Sequence, residues 1–320
     1  VELHDRVSTF EQLRPMLFSI AYRMLGSVSD AEDAVQEAWP RFQDADPAPR
    51  SPRAFLTTVV SRLCIDVLRS ARKRREHYVG DWLPEPLIAD PYDDPAHAAE
   101  LADSMTMAAL VLLERLSPLE RAVFVLRDVF GHEYAEIAGI MGRSEPACRQ
   151  VAARARRHMG EGRARFNANR AAGAELADRF FGAFREGDLA SLTELLAADA
   201  TLTSDSGGKA PSLPRRIIGA DKIARLLASL SAPSAAVGMG MQRREINGAP
   251  GALMTDSAGR VLNTIVLEIA DGTVQVIRIV VNPDKLAHLG PVADAWRVHE
   301  DVAKARRLAG RGTGPLAAWP

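Results

Sequence analysis

Two stretches of this chain gather residues whose chemistry is directed at phosphates and base edges. In the first, Arg62, Arg69, Arg72, Lys73, Arg74 and Arg75 stand against a single acid, Asp66, and follow an aromatic residue, Phe55, and hydroxyls at Thr57, Thr58 and Ser61. That mixture suits melted nucleic acid: a ring to stack on an unpaired base, small polar groups to meet base edges, cations for phosphates. In the second, eight arginines between Arg143 and Arg170 are opposed only by Glu145 and Glu161. Glu145, Arg149 and Gln150 come first, and Arg154, Arg156 and Arg157 follow. Arginine to guanine and glutamine to adenine are favoured major-groove pairings, each worth about 1–3 kcal/mol of discrimination. The first three residues are therefore expected at base edges and the later arginines at phosphates. For either run alone, a solvated helix face is the plain alternative. The apolar residues interleaved with them (Phe55, Leu56, Val59, Val60, Leu63, Cys148, Val151) read as packing, and Asp66 as the ion-pair partner of a neighbouring arginine.

Helices must carry both runs. Phe10, Leu13, Leu17, Ile20, Ala21 and Met24 recur at three- and four-residue steps, and Gly26 ends that helix. Ser29 before Asp30-Ala31-Glu32-Asp33 resembles a capping box for the next. A loop containing Pro40, Pro47, Pro49 and Pro52 precedes a helix over about 53–74. Ser117-Pro118-Leu119-Glu120 is a helix start, with a serine cap, proline in the first turn and an acid to close the box. Gly131 ends that helix. Tyr134, Ile137, Ala138 and Met141 form a short second helix, Gly142 supplies a turn, and Ser144 caps a third, basic helix. This is helix-turn-helix order, whose last helix enters the major groove.

The 320 residues carry a net charge of −1, but the charge is segregated along the chain. Between the basic runs, residues 76–100 hold seven acids and no Lys or Arg, with prolines at 84, 86, 91 and 95. Two basic modules on one acidic tether are the expectation. A hydrophobic fraction of 47% and a charged fraction of 25% exclude long disorder. Cys64 and Cys148 lack zinc or disulfide spacing, so no metal and no cofactor are expected. The acidic start (Glu2, Asp5) has neither the basic nor the apolar part of a signal peptide, and no apolar run reaches membrane length. The expectation is a cytoplasmic protein with no membrane partner. After about residue 171 the period changes: helices over about 173–186 and 188–197 precede β-rich segments over about 200–204, 239–246, 261–270 and 273–281, with turns at Ala258-Gly259 and Asp271-Gly272.

The order and wording of these segments resemble an extracytoplasmic-function sigma factor of the sigma-70 family, of the actinobacterial sigma J type. Asp30-Ala31-Glu32-Asp33-Ala34-Val35-Gln36-Glu37 is similar to the conserved helix of the first sigma domain. Phe55-Leu56 through Arg62, Asp66 and Arg69 is similar to the promoter-melting helix, and Ser117 to Arg157 to the domain that reads the −35 element. Trp82-Leu83-Pro84-Glu85-Pro86 and Asn282-Pro283-Asp284-Lys285-Leu286 resemble signatures of the subgroup with a fused SnoaL-like domain. Asp205-Ser206-Gly207-Gly208-Lys209 matches that subgroup's glycine-rich motif except at Ser206.

The resemblance implies a multidomain protein: two all-α sigma domains, the second a helix-turn-helix, joined by an acidic linker and followed by an α+β SnoaL-like cone-shaped domain. The implied boundaries are 1–75 (core polymerase and −10 element), 76–100 (linker), 101–170 (−35 element), 171–293 (SnoaL-like domain) and 294–320 (tail). The implied partners are core RNA polymerase, through the β′ clamp helices and the β subunit, and promoter DNA, with a small molecule open for the SnoaL-like domain. Core-polymerase contacts fall to Asp30, Glu32, Asp33, Gln36 and Glu37. The −10 element falls to Phe55, Arg62, Arg69, Arg72 and Lys73. The −35 element falls to Glu145, Arg149, Gln150, Arg154, Arg156 and Arg157. Regulatory contacts between domains fall to Trp82, Pro84, Asp205, Lys209, Asn282, Pro283, Asp284 and Lys285. Trp82 in a polar tether should dock on something. Asp205, Asp221, Asp284 and His288 are the candidates if the last domain does acid–base chemistry; sensing and intramolecular regulation are the other roles open to it, and regulation is preferred. A one-component helix-turn-helix regulator with an effector domain is the competing reading. It leaves the Asp30–Glu37 and Phe55–Arg75 segments without a task.

Overall fold

A computed structural model describes residues 3–75, 78–92, 98–160, 170–213 and 215–308, apart from the side chains of residues 3–4, 71–75, 98–100, 103 and 170–172. They form two compact units, Val1–His77 with Leu87–Ala164, and Tyr78–Pro86 with Arg165–Pro320.

The first unit is helical. α1 (Leu3–Leu25) buries Phe10, Leu17, Ile20, Ala21 and Met24, the stripe its spacing predicts. Gly26, at φ 67°, turns the chain out of the helix. α2 (Val28–Gln43) is capped by Ser27, whose Oγ accepts from the Asp30 backbone N–H at 3.1 Å. The sequence pointed to Ser29, but the chain already becomes helical at Val28, so Ser29 falls in the first turn. Pro40, expected in the following loop, lies in the last turn of α2 on its exposed side, where water can serve the carbonyl its ring leaves unbonded. α3 (Pro52–Arg75) follows.

Then come α4 (Ala98–Met105), α5 (Met107–Leu113), α6 (Pro118–Phe124), α7 (Tyr134–Met141) and α8 (Glu145–Gly160). The Ser117–Glu120 box closes in both directions: Ser117 Oγ accepts from Glu120 N at 3.3 Å, and Glu120 Oε2 accepts from Ser117 N at 3.1 Å. Gly142 sits at φ 62° and sets the turn between α7 and α8, which are the helix-turn-helix pair. One apolar core runs through all of these helices, with Leu56, Val60 and Leu68 of α3 in the same cluster as Ala122, Val123 and Leu126. Each fully buried Leu or Phe contributes about 1.5–3 kcal/mol.

The second unit is α+β: α9 (Arg170–Glu186), α10 (Leu189–Leu195), β1 (Leu196–Asp205), β2 (Ile217–Ile218), α11 (Ala220–Ala236), β3 (Gly240–Ile246), β4 (Ala249–Thr255), β5 (Val261–Ala270), β6 (Thr273–Val280) and α12 (Ala295–Leu308). Among the described residues the strands form one sheet in the order β2-β1-β6-β5-β4-β3, with β1 parallel to β6 and the other pairs antiparallel. Phe180, Phe181, Leu202, Ile223, Leu267 and Ile277 fill the core between sheet and helices. An all-α unit that contains a helix-turn-helix, followed by an α+β unit, is the class of fold expected from the sequence.

β2, α11 and β4 went unread in the sequence. β4 opens on Pro250-Gly251, which hides its alternation, yet Asn247 and Gly248, at φ 52° and 66°, close a two-residue hairpin like that of Asp271 and Gly272 at 51° and 72°. Gly251 is required for a different reason: a Cβ there would lie 2.5 Å from the Ile265 carbonyl oxygen of the neighbouring strand. Gly182, inside α9, has nothing within 4 Å of where its Cβ would be. Gly251→Val should therefore lower the stability of the second unit by about 1–3 kcal/mol. Gly182→Ala should raise it by about 0.5–1 kcal/mol. Urea unfolding followed by circular dichroism reads both, and the two midpoints should move in opposite directions.

Candidate functional site

In α2, Asp33, Gln36 and Glu37 are exposed at three- and four-residue steps and form an acidic and polar face. Asp30 and Glu32 are half-buried at its border, and Glu32 is held by Arg14 at 2.6 Å. Glu37 pairs with Arg41 at 2.7 Å on the surface. These residues therefore lie together on α2.

The α3 face divides. Phe55 is half-buried against Phe42, ring centroids 6.1 Å apart. Thr57 and Ser61 are fully buried, so the reading of their hydroxyls as base-edge groups is corrected: the helix turns them into the core with Leu56 and Val60. Thr58 bonds its own helix, donating to Ala54 O at 2.8 Å. Arg69 pairs with Asp66 at 3.2 Å, both well exposed. The side chains of Arg72 and Lys73 lie outside the described residues. Arg62 is engaged elsewhere: its Nε donates to Ile140 O at 3.0 Å, at the carbonyl end of α7, where cations are favoured.

On α8, Arg149, Gln150, Arg154 and Arg157 share one exposed face. Glu145 and Arg149 form an ion pair, with the Arg149 guanidinium 4.9 Å from the Tyr134 ring centroid. Arg154 reaches Glu120 at 3.4 Å. Arg156 is committed to Asp128 at 2.6 Å, with Tyr134 Oη beyond it, and these bonds raise its pKa above the ordinary value. Arg157 lies further along, in the open.

Beneath these faces the packing of α1 and α3 on the later helices is polar at its centre. Arg23 is fully buried and donates to Ser104 Oγ (2.8 Å), Leu101 O (2.8 Å) and Asp90 (3.0 Å). Arg121 of α6 is fully buried too; it pairs with Glu114 and donates to the Arg23 carbonyl at 3.2 Å. Burial lowers both guanidinium pKa values, that of Arg121 to about 9, so Arg121 still carries a charge at neutral pH. Cys64 is likewise buried, and its thiol pKa is raised by loss of water. No residue spacing separates these two arginines from surface ones.

In the second unit the three motifs expected to make contacts between domains meet at one carboxylate. Asp205 is buried with 0% exposure. Its Oδ1 accepts from Tyr78 Oη at 2.5 Å and Gly207 N at 3.1 Å, and its Oδ2 from Leu83 N at 2.7 Å and Lys285 Nζ at 2.7 Å. Lys285 also donates to the Leu83 carbonyl and lies 4.1 Å from the Trp82 ring centroid and 5.0 Å from that of Tyr78. Asn282 Nδ2 donates to Tyr78 Oη at 2.9 Å, while Asn282 Oδ1 caps the Pro283–Lys285 turn by accepting from Asp284 N at 3.1 Å. Burial, then the Asp205 bond, pushes the Tyr78 phenol pKa up. Pro84 is buried, and His288 Nε2 donates to Pro86 O at 2.7 Å. Lys209 and Asp284 form an exposed ion pair. Gly207, at φ 57°, admits the cluster: a Cβ there would fall 2.5 Å from Asn282 Nδ2.

Asp205 and His288 are thus structural partners of the 78–86 segment, Asp284 pairs with Lys209, and Asp221 is an exposed partner of Arg225 at 2.9 Å. Sequence reading missed Tyr78, which lies just ahead of the tryptophan motif; an aromatic hydroxyl at the start of an acidic linker was the available signal.

The chain matches the family models for sigma-70 region 2 over residues 9–74 and sigma-70 region 4 over residues 106–159. It is 47% identical over 226 residues to the ECF RNA polymerase sigma factor SigJ of Mycobacterium tuberculosis, covering 70% of this chain and 72% of that protein. It is 39% identical over 197 residues to the Probable ECF RNA polymerase sigma factor SigI of the same species, covering 60% of this chain and 68% of the relative. The crystal structure of M. tuberculosis SigJ superimposes with a TM-score of 0.69 at 39% identity, over 88% of this chain and 98% of that one.

Removing one member of a buried ion pair strands the other, at a cost of about 3–5 kcal/mol. Asp205→Ala should therefore release the 78–86 segment from the second unit. Limited proteolysis should then cut near Tyr78–Pro86 far faster than in the unaltered chain, with Trp82 emission shifted towards the red. Unchanged cleavage would mean that Asp205 does not hold the segment.

Proposed function

Because the chain belongs to the extracytoplasmic-function RNA polymerase sigma factors, we propose that its output is governed by the grip of its own C-terminal domain on the 78–86 segment. The protein is an alternative sigma factor, conferring promoter recognition and transcription initiation. Family membership displaces the one-component regulator. The members to which it is similar are sigma factors, not enzymes. No helix among the described residues is long and apolar enough to cross a membrane, and our reading is that the protein works in the cytoplasm, where polymerase and promoter are.

Within this reading, residues 1–75 bind core polymerase and the −10 element, and residues 101–170 the −35 element. The segment 76–100 links them, residues 171–293 form the SnoaL-like domain and 294–320 its tail. The exposed face of Asp33, Gln36 and Glu37, bordered by Asp30 and Glu32, suits a basic partner such as the β′ clamp helices; the second module is assigned to the β subunit. Phe55, Arg62, Arg69, Arg72 and Lys73 serve the −10 element. Glu145, Arg149 and Gln150 serve −35 base edges, and Arg154, Arg156 and Arg157 phosphates. Arg62 bonds α7 and Arg156 bonds Asp128, so each must exchange a protein partner for DNA. That exchange makes separation of α3 from α7 part of promoter binding.

The observation that carries regulation in cis is Asp205, whose two oxygens hold Tyr78, Leu83 and Lys285 together. A tethered contact of this kind acts at an effective concentration of about millimolar even when intrinsically weak. Fixing the linker limits the distances that the two DNA-reading modules can take up.

Reversing charge at Asp33 and Glu37 to lysine should abolish co-purification with core RNA polymerase while leaving the fold intact, since surface substitutions usually change stability by less than about 0.5 kcal/mol. Retained co-purification would remove α2 as the docking face. For regulation, multi-round transcription with purified core enzyme should give different output from the full chain and from a chain ending at Arg170. Asp205→Ala should move output in the same direction as that truncation, by a smaller amount. Equal output from all three would make the C-terminal domain a passenger.

A further inference from the structure

The C-terminal domain also holds a cavity that neither the linker contact nor the sigma function uses. It encloses about 200 Å³ between the sheet and helices α11 and α12, with a loop over 211–213 at one side. Leu202, Leu227, Leu230, Ile279 and Val298 supply apolar wall, and among the described residues no Asp, Glu, Lys or Arg lines it. An engineered apolar cavity of about 150 Å³ holds benzene, and drug-sized molecules occupy about 300–1,000 Å³. The space therefore suits one substituted ring. Without a lining cation, carboxylates and phosphates would enter unpaired, at prohibitive cost.

The cavity's polar groups restrict the occupant further. Ser204 and Ser212 satisfy each other at 2.6 Å, and Ser204 Oγ also accepts from Leu213 N at 3.0 Å. Asn263, on β5, borders the cavity, and its buried Oδ1 has no hydrogen-bond partner among the described residues. Leaving a buried amide oxygen unmet costs about 1–3 kcal/mol, so the position is poised for a donor. A hydroxyl donates and accepts, and so meets an amide in either orientation. His299 of α12 lies on the lining as well, its pKa lowered by burial against an opposing effect of Glu300, so the wall stays uncharged at neutral pH.

We propose that this cavity is a binding site for a small, uncharged, hydroxyl-bearing aromatic molecule of the alkylphenol class, with its ring in the apolar pocket and its hydroxyl on Asn263. α12, which contributes Ala295, Val298, His299 and Val302, forms one wall of the site.

The inference does not rest on the regulatory reading, because binding is measured directly and without polymerase. Calorimetric titration of the full chain with 4-ethylphenol should give saturable one-to-one binding. Ethylbenzene should bind about fivefold to tenfold more weakly, the loss of one hydrogen bond, and 4-ethylbenzoate should not bind. Asn263→Leu should bring 4-ethylphenol down to the affinity of ethylbenzene. Val298→Phe, which fills the cavity from α12, should abolish binding of both, with folding checked by circular dichroism. Should Val298→Phe unfold, Ala295→Leu makes the same test at the other end of the α12 wall. Failure of 4-ethylphenol to bind, undiminished binding in a folded cavity-filled variant, or equal binding of all three probes would each overturn the proposal.

Discussion

A carboxylate cut off from water must be answered by donors, and the whole arrangement around the linker motif follows from that requirement at Asp205. Its four donors come from three separated parts of the chain: Tyr78 and Leu83, Gly207, and Lys285. None of these groups would be buried at acceptable cost alone. Lys285 needs the carboxylate, and its methylene stem and charge also find the faces of Trp82 and Tyr78. The cluster therefore forms as a set or not at all. That makes it a specific joint rather than a general adhesive surface, and it explains why a segment with four prolines within residues 76–96 has a defined path between Tyr78 and Pro86.

The first unit makes a comparable choice with arginines. Placing Arg23 and Arg121 inside the helical unit imposes desolvation that packed apolar residues of similar volume would avoid. Their bonds go largely to backbone carbonyls and small hydroxyls, and the orphaned hydroxyls of Thr57 and Ser61 lie buried on α3. Packing of this composition is specific in register yet weaker than an apolar core of the same size. The bond from Arg62 to the end of α7 is a further polar contact in the same packing.

Much of this was legible in the residues. Ser117, Pro118 and Glu120 announce the start of α6, and Gly142 the turn before α8, because caps and left-handed glycines act within four residues of chain. The basic face of α8 follows from helical spacing alone. The 78–86 motif could be marked as an interacting segment because a tryptophan in a polar tether is costly to leave in water, whereas 282–286 was marked by its resemblance to a subgroup signature. β4 was not legible, since Pro250 and Gly251 interrupt the alternation that a strand normally displays.

Local and periodic physics is what the sequence by itself determined: helix positions and caps, the segregation of charge into two basic runs and an acidic spacer, and the change to β structure after about residue 171. Tertiary structure alone decided which face of α3 is buried, taking Thr57 and Ser61 inwards. It decided that Arg121 is a core residue while Arg157 is not, and that Asp205 binds the linker instead of lining a pocket. Burial is a property of what lies opposite a side chain. Whether a charged group is solvated, paired or stranded depends on residues as much as 202 positions away, as with Lys285 and the Leu83 carbonyl, and no short-range pattern encodes that distance.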